Sequence, residues 1–499
     1  MLHKNQKKRS RFSSALLLND KFLSAENKIR FGSTMAFKIL STTMTFSTII
    51  SILLLQFSLT TATNPLCAAV CVCEESIEEK FVKLDCSKVY LSIVPPLEDW
   101  PINITHMDLS SNNISTLDSE LSHNSLEVLD LSHNRISTVV QNAFGGLNKL
   151  KYLNLANNAI RRFDENGFYG LEHLKSLNLS SNGLYLLPDG LFYNFIGLQE
   201  LSLADNPLVH IDSIHFNRMI NLRWLDLSNT DLYTLPANIF HTTGELEFLD
   251  LSANEFHDVP IDALRSARSL QHLRFSENPI EVLDKKSFRK LLTLQVLEVN
   301  SMDHLREVKE EAFSDLANLQ SLEMKFNRHL TTIDRKAFDG LFNESRPTLQ
   351  EIDLEANQLR TLDQDMIACA RVRKFNVQKN PWVCDCAMKW IKKCEIQKIY
   401  AADLKCYEPP KLHNHLIVNL SDKQLECNYQ DTPVAKSMVH HDHVVRGISV
   451  GLAAGLLVIL AFGIALIFKW KSIKSWYRSN RKGSGAVYYV RARANPREI

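Results

Sequence analysis

The chain has 499 residues and a formal net charge of +1, and its ten cysteines cluster at the two ends of a long repetitive region. A length of this order suggests a few domains. The sequence contains no metal-spaced His/Glu motif, no glycine-rich phosphate loop and no serine-nucleophile elbow. These absences argue against an enzyme, and neither a metal nor another cofactor is predicted.

Residues 1–62 open the chain and are interpreted as a leader followed by a secretory signal peptide. An apolar run from Thr45 to Leu59 follows Lys38 and precedes small residues, as a cleavable signal sequence requires. Translation from Met35 would give a signal peptide of ordinary length. The alternative is an uncleaved N-terminal signal anchor, but the cysteine-rich segment that follows favours cleavage.

Residues 63–103 are predicted to form a cap over the first repeat, because a stack of repeats exposes its core at an open end. The segment holds four cysteines. Zinc ligation and disulfides are both compatible with their spacing, and a secreted context favours disulfides. Sequence alone leaves three pairings open. The four are Cys67, Cys71, Cys73 and Cys86.

Residues 104–379 repeat the pattern L-x-x-L-x-L-x-x-N-x-L about twelve times, mostly in steps of 24 residues. A period in this range with this consensus predicts a leucine-rich-repeat solenoid. The predicted class is an α/β solenoid, a horseshoe whose short strands stack into a parallel concave sheet. The asparagine position falls at residues 112, 134, 158, 182, 206, 230, 254, 278, 302, 327, 357 and 380.

An asparagine amide has donors and an acceptor that can satisfy buried backbone groups of neighbouring coils. Met302 in the ninth repeat cannot make these bonds. Extra residues between Leu341 and Leu349 are predicted to form a projecting loop and to disturb the regular curvature nearby. A second apolar column is predicted to fill the convex side of the core. It comprises Phe144, Phe168, Phe192, Phe216, Phe240, Leu264, Phe288, Phe313 and Phe338.

Residues 380–428 are predicted to cap the other end of the array. They begin with Asn380, in phase with the last repeat, and a short helix carrying Trp390 and Ile391 is predicted to plug the final coil. The four cysteines of this cap are Cys384, Cys386, Cys406 and Cys427. Two more cysteines remain, Cys369 just before this cap and Cys394 within it. They are interpreted either as an extra disulfide or as two buried free thiols.

A polar stalk is predicted for residues 429–446, a transmembrane helix for residues 447–468 and a short basic cytoplasmic tail for residues 469–499. The middle segment has 22 uncharged residues, enough for a helix about 33 Å long across a bilayer core of about 30 Å. Basic residues follow it, so the chain is predicted to be a single-pass type I membrane protein. Small residues spaced as G-x-x-x-G predict pairing of two copies as a homodimer: Gly447, Gly451 and Gly455.

From residue 67 to about residue 430, the caps and repeats resemble extracellular leucine-rich-repeat proteins of the capricious/tartan, slit-like and Toll-ectodomain type. The resemblance implies a plasma-membrane receptor that binds an extracellular or cell-surface protein ligand. The disulfides that it implies are Cys67–Cys73, Cys71–Cys86, Cys384–Cys406 and Cys386–Cys427. Five glycosylation sequons agree with an extracellular location: Asn103, Asn113, Asn178, Asn343 and Asn419.

The outward positions of the predicted strands form two columns along the concave sheet, and one stretch of them combines aromatic with charged residues. Aromatic residues beside charged groups are typical interface anchors. The family consensus L-D-L-S accounts for the aspartates of this stretch but not for its aromatic residues or its arginine. The predicted ligand-binding surface, on coils six to nine, consists of Trp224, Asp226, Phe248, Asp250, His272, Arg274 and Glu298.

The leading functional hypothesis is a cell-surface recognition or adhesion receptor for a protein ligand. The alternative is an innate-immune sensor or accessory co-receptor that acts with a signalling partner, since the predicted tail has no room for a folded signalling domain. No nucleic-acid partner is predicted.

Overall fold

The structure of the protein is a computed structural model that describes residues 65–76, 81–164, 166–343, 346–347, 349–394 and 396–427. The predicted signal peptide, stalk, transmembrane helix and tail lie outside these ranges. Among the helices within them, none has the length and apolar character needed to cross a membrane.

A single fourteen-stranded sheet runs the length of the array. The first two strands pair antiparallel, and every later strand pairs parallel with its predecessor, coil after coil. Each coil contributes three residues, of which the middle one is buried. The strands are Val72–Ser76, Phe81–Asp85, His106–Asp108, Val128–Asp130, Tyr152–Asn154, Ser176–Asn178, Glu200–Ser202, Trp224–Asp226, Phe248–Asp250, His272–Arg274, Val296–Glu298, Ser321–Glu323, Glu351–Asp353 and Lys374–Asn376.

The two-residue alternation of a strand explains this pattern, since successive side chains point to opposite faces. Leu225 of the sixth coil is buried, while Trp224 and Asp226 on either side of it point outward. The outward face is called the sheet face below. Its first and second columns are the residues before and after each buried strand residue. The coils are numbered from His106–Asp108 onward.

The other side of the core is built from the predicted phenylalanine column, whose members are all buried. Phe144 and Phe168 stack at a centroid distance of 6.0 Å, and Phe313 and Phe338 at 5.6 Å. These rings fill the space behind the strands, and their equal spacing follows from the equal length of most coils.

The segments behind the sheet are mostly turns, so the chain is a parallel-sheet β-solenoid and not the α/β solenoid predicted from sequence. Short strands there are Thr116–Leu117, Thr138–Val139, Val282–Leu283, Glu307–Val308 and Thr332–Ile333. The α-helices are Pro65–Ala69, Ile261–Leu264 and Lys398–Ala401. The 3₁₀-helices are Leu97–Asp99, Ser213–His215, Gln364–Met366, Cys369–Arg371, Cys386–Lys393, Pro410–Leu412 and Ile417–Asn419.

The asparagines bind consecutive coils to one another. The Nδ2 group of Asn158 donates to the carbonyl oxygens of Leu131 and Leu155, each at 3.0 Å. Its Oδ1 accepts from the backbone N–H of Ile136 at 2.9 Å. Asn182 repeats these contacts one coil later. Each amide therefore satisfies backbone groups of its own coil and of the preceding one.

Two coils depart from this ladder of asparagines. Thr230 replaces the asparagine in the sixth coil, and Oδ1 of Asn254 accepts both its N–H, at 3.1 Å, and its hydroxyl, at 2.9 Å. Met302 in the ninth coil donates only its backbone N–H, to Oδ1 of Asn327 at 2.8 Å. Nδ2 of the buried Asn327 has no hydrogen-bond partner among the described residues. The irregularity predicted at Met302 thus appears one coil later, as the unsatisfied Nδ2 group of Asn327.

The extra residues between the strands of the tenth and eleventh coils include a small hairpin, Phe342–Asn343 paired antiparallel with Arg346–Pro347. The main sheet passes this insertion in register, because Ser321 pairs with Glu351 as it pairs with Val296 on its other side. The insertion is therefore absorbed before the next strand begins and leaves the pairing of the sheet intact.

Disulfides close both caps, and the structure contains the four pairs that the family resemblance implies. Cys369 and Cys394 form a fifth disulfide, and no free cysteine remains in the chain. At the C-terminal end, the 3₁₀-helix Cys386–Lys393 buries Trp390, whose ring N–H donates to the carbonyl of Leu362 at 3.0 Å. The predicted plug of the final coil is present.

The ladder makes a prediction for stability. Replacing Asn254 with leucine would leave the N–H groups of Thr230 and Leu232, and the carbonyls that Asn254 bonds, without partners in the core. Each buried unsatisfied group costs about 1–3 kcal/mol, so Asn254→Leu should lower the free energy of unfolding by several kcal/mol. Thermal unfolding and hydrogen exchange of coils five to seven would measure this loss.

The matched control is Met302→Leu, at the same position of another coil. The Met302 side chain is buried and makes no hydrogen bonds in the ladder, so this volume-conserving change should cost less than about 1.5 kcal/mol. Equal losses in the two variants would show that the amide contacts contribute no more than side-chain volume.

Candidate ligand-binding face

Three aromatic rings form a continuous row on the sheet face. Trp224, Phe248 and His272 are register partners in the first column of coils six, seven and eight. Trp224 stacks on Phe248 with a centroid distance of 5.4 Å and an interplanar angle of 10°. His272 meets Phe248 edge-on at 4.8 Å and 75°. In-register strands lie about 4.8 Å apart, so the sheet brings the rings into contact.

The rings are less exposed than the sequence suggested. Trp224 and Phe248 are half-buried, because each shields a face of the other. Tyr152, which occupies the same column in the third coil without an aromatic neighbour, is 49% exposed. The row is therefore a rigid, preassembled surface, and a partner would lose little conformational entropy in ordering it.

Charged side chains surround the row. Arg274 donates from Nε to Oε1 of Glu298 at 3.0 Å, and its Nη1 lies 3.8 Å from Oδ2 of Asp250. Nε2 of His272 lies 2.7 Å from the same Glu298 oxygen. The guanidinium carbon of Arg274 sits 5.2 Å from the centroid of Phe248. Arg274 is thus held by two carboxylates and one aromatic ring at the same time.

Burial by itself would raise the pKa of Glu298, but the hydrogen bond from His272 and the charge of Arg274 outweigh it and lower the pKa. Glu298 is therefore ionised at neutral pH and anchors both basic groups. Together these contacts join six of the seven residues predicted from sequence into one connected group, and Asp226 lies next to it as the register partner of Asp250. We call the seven residues the central cluster.

The aspartates of the second column also have a structural task. Oδ1 of Asp226 accepts from the N–H and the hydroxyl of Ser228, at 3.0 and 2.7 Å, and Oδ1 of Asp250 accepts from the N–H of Ser252 at 2.9 Å. Each caps the turn that follows its strand, as short polar side chains commonly do. The consensus L-D-L-S thus has a physical cause. The second carboxylate oxygen is left for other contacts: Oδ2 of Asp226 accepts from the hydroxyl of Ser202 at 3.5 Å, and Oδ2 of Asp250 lies 3.8 Å from Nη1 of Arg274.

The sequons differ in their surroundings. Asn103, Asn113 and Asn419 are exposed, and Asn178 lies half-buried in the second column of the fourth coil. Oδ1 of Asn178 accepts from the N–H of Ser180 at 3.0 Å, which is the turn-capping bond of this column. Asn343 lies in the hairpin strand Phe342–Asn343. Glycosylation at the five sites stays a prediction.

Comparison with known protein families agrees with the repeat architecture. The family model described as leucine rich repeat matches residues 124–184, and the one described as leucine-rich repeat region matches residues 173–411. The chain is a leucine-rich-repeat protein. Neither of these descriptions names a catalytic activity.

Several proteins resemble parts of this leucine-rich-repeat chain. Trophoblast glycoprotein of Mus musculus is 28% identical over 162 residues, which cover 30% of this chain and 35% of that protein. Tsukushi of Rattus norvegicus is 34% identical over 106 residues, which cover 19% of this chain and 29% of the relative. The chain thus spans about a third of the length of these relatives.

Among solved structures, the crystal structure of the TLR13-ssRNA13 complex covers 65% of this chain and 74% of its own, at 17% identity and a TM-score of 0.36. A likeness of this size carries no argument about the ligand.

A second group of charged residues on the sheet face was not predicted from sequence. Lys374 lies 3.3 Å from a carboxylate oxygen of Asp353 and 3.6 Å from one of Glu323, which also pairs with Lys325 at 2.6 Å. Opposite charges at matching register positions of coils ten to twelve could have revealed it. These cations are paired within the protein, so the aromatic row stays the distinguishing feature of the face.

The central cluster makes a prediction about pH. Burial, and next the charge of Asp226, raise the pKa of Asp250 from 3.8 to about 6. Between these two values the folded protein holds a proton that the unfolded chain releases, so this residue's contribution to stability falls as pH rises through that window. A shift of this size corresponds to a free energy on the order of 3 kcal/mol.

Asp250→Asn removes this titration and keeps an oxygen that can cap the turn. The free energy of unfolding of the variant minus that of the unmodified protein should therefore increase between about pH 4 and pH 7. Urea unfolding of both proteins over that range measures this difference. Parallel stability–pH profiles for the two proteins would contradict a raised pKa at Asp250.

Proposed function

We propose that this protein is a cell-surface recognition or adhesion receptor that binds a protein ligand through the central cluster. The observation that carries the proposal is the stacked aromatic row set among carboxylates on four adjacent coils. Interfaces draw most of their binding energy from a few aromatic and arginine residues surrounded by polar groups. The central cluster has this composition and is already assembled in the free protein.

Two features support an extracellular setting. All ten cysteines are in disulfides, which persist in oxidising compartments and are rare in the cytosol. Exposed sequons lie at both ends of the array, at Asn103, Asn113 and Asn419. The predicted signal peptide and transmembrane helix would place the repeats outside the cell, at the plasma membrane.

The predicted glycan on Asn178 would restrict the ligand to one part of the face. Its side chain lies in the second column two coils before Trp224, so a sugar chain there would cover the neighbouring coils three to five. Coils six to nine would remain accessible. The same coils carry the central cluster, and we therefore assign the ligand to this half.

Full-length chain displayed on cultured cells, screened against a library of tagged extracellular proteins, would identify the ligand. The double variant Trp224→Ala, Phe248→Ala should then weaken binding at least about 30-fold, because loss of a central aromatic anchor commonly costs about 2 kcal/mol or more. Surface display at the normal level would show that the variant folds.

Tyr152→Ala is the matched control, since Tyr152 belongs to the same column but lies outside the central cluster. It should leave affinity within about twofold, as most peripheral contacts do. Undiminished affinity in a folded double variant would place the binding surface elsewhere on the solenoid.

Clustering of cells that display the chain would show adhesion between copies or with a shared partner. Ligand binding without clustering would favour recognition of a separate protein. The double variant should abolish clustering if the central cluster mediates it, whereas Tyr152→Ala should preserve it.

A further inference from the structure

The central cluster contains one internal example of how this face holds a cation. The guanidinium of Arg274 lies over the ring of Phe248, with its centre 5.2 Å from the ring centroid. Its nitrogens reach Glu298 at 3.0 Å and Asp250 at 3.8 Å. An aromatic surface and neighbouring carboxylates thus bind a planar cation together.

One coil earlier, Trp224 and Asp226 repeat the positions of Phe248 and Asp250. Within the described part of the chain, no basic side chain lies over the Trp224 ring, and Asp226 forms no ion pair. Asp226 accepts hydrogen bonds from the N–H and hydroxyl of Ser228 and from the hydroxyl of Ser202. The aromatic ring and the carboxylate that hold Arg274 are therefore present a second time, whereas the place equivalent to that of Arg274 is occupied by Asp250. The side of the Trp224 ring that is left for a cation is the one toward the fifth coil.

The neighbouring groups leave this position open. Phe248 covers one side of the Trp224 ring, so the other side faces the fifth coil, where the register partner is the exposed Glu200. Arg223 precedes Trp224 in the chain but its guanidinium lies near Glu245 and Glu247, at 3.6 and 3.5 Å. On the sheet face of coils five and six, the charged neighbours of the ring are thus the carboxylates of Glu200 and Asp226, with the hydroxyl of Ser202 beside Asp226.

The sheet face as a whole is negatively charged, like the surroundings of Trp224. Across the twelve coils, its two columns hold nine carboxylates and two permanent cations, Arg274 and Lys374. Both cations are paired with carboxylates of the face. The remaining potential is negative, which attracts basic partners and repels phosphate-bearing ones.

We propose that an arginine side chain of the protein ligand binds over Trp224, between Asp226 and Glu200. This inference rests on the proposed function and names the chemistry of the partner. A guanidinium is planar, stacks on aromatic rings and presents paired donors to carboxylates, whereas an ammonium is a compact, strongly hydrated charge. Burial raises the pKa of Asp226, and an arriving cation would compensate that desolvated carboxylate.

The probe is a synthetic peptide with three arginines separated by glycine and serine. Its counterparts carry lysine or the uncharged isostere citrulline at the same places. Binding to purified full-length protein is measured by calorimetry at low salt and at physiological salt. The arginine peptide should bind most tightly, the lysine peptide less so, and the citrulline peptide at least about tenfold more weakly.

Two variants assign the position. Trp224→Leu should weaken the arginine peptide at least about tenfold. Asp226→Asn should weaken it about fivefold and should fold normally, because Asn154 and Asn178 make the same turn-capping bond in this column. Asp108→Asn is the matched control: it removes the same charge from the same column in the first coil, where Oδ1 also caps a turn, and should change affinity less than twofold.

Equal binding of the citrulline and arginine peptides would overturn the proposal, and so would the absence of binding at about 1 mM peptide. Equal losses in Asp226→Asn and Asp108→Asn would reduce the effect to diffuse charge and would also overturn it. A different result would contradict the proposed function, namely normal binding of the identified ligand by the double variant Trp224→Ala, Phe248→Ala. If the double variant loses that ligand while the citrulline and arginine peptides bind equally well to the unmodified protein, the arginine site alone is refuted.

Discussion

The asparagine amide that links each coil to its predecessor is the interaction on which the rest of this molecule depends. A coil that turns away from the sheet buries backbone N–H and carbonyl groups, and each would cost about 1–3 kcal/mol without a partner. Asn158 satisfies two carbonyls and one N–H across two coils, and Asn182 does so again in the next coil. Neighbouring coils are thereby fixed in register, since a shift of one residue would break these bonds and reverse the faces of the strand.

Register in turn creates the aromatic row of the proposed ligand-binding face. Trp224 reaches Phe248, and Phe248 reaches His272, because equivalent residues of adjacent coils pair directly. No loop has to adopt a special conformation to form the aromatic row. The row can therefore be rigid while its side chains remain free to differ from coil to coil, which is how a regular solenoid presents a surface that is specific in one place.

The sequence predicted the elements that depend on spacing. The strands, the phenylalanine column and the position of the central cluster follow from a period of mostly 24 residues, because spacing decides which side chains share a face. It did not predict the half-burial of Trp224 or the capture of Arg274 by Glu298, which depend on contacts between coils. It also overestimated helix, since the segments behind the sheet are mostly turns. The state of Cys369 and Cys394 was open from sequence, because only their proximity in the fold decides it.

The second column shows where structural and binding requirements separate. In coils one to seven its residue caps the following turn with one oxygen, as Asp108, Asp226 and Asp250 do. Asp353 and Asn376 resume this role in coils eleven and twelve.

Between them, coils eight to ten carry Arg274, Glu298 and Glu323 at the capping position. An arginine has no acceptor to offer a turn. In the ninth coil, where Glu298 occupies the capping position, the N–H of Asn300 donates to the hydroxyl of Ser276 at 3.0 Å. A rule kept by the other coils is thus given up where the charged networks of the face are assembled. Local departures from a structural pattern are expected at sites that serve binding, and this one adjoins Phe248 and His272. The lost caps of coils eight to ten thus adjoin the aromatic row of coils six to eight and share the eighth coil with it.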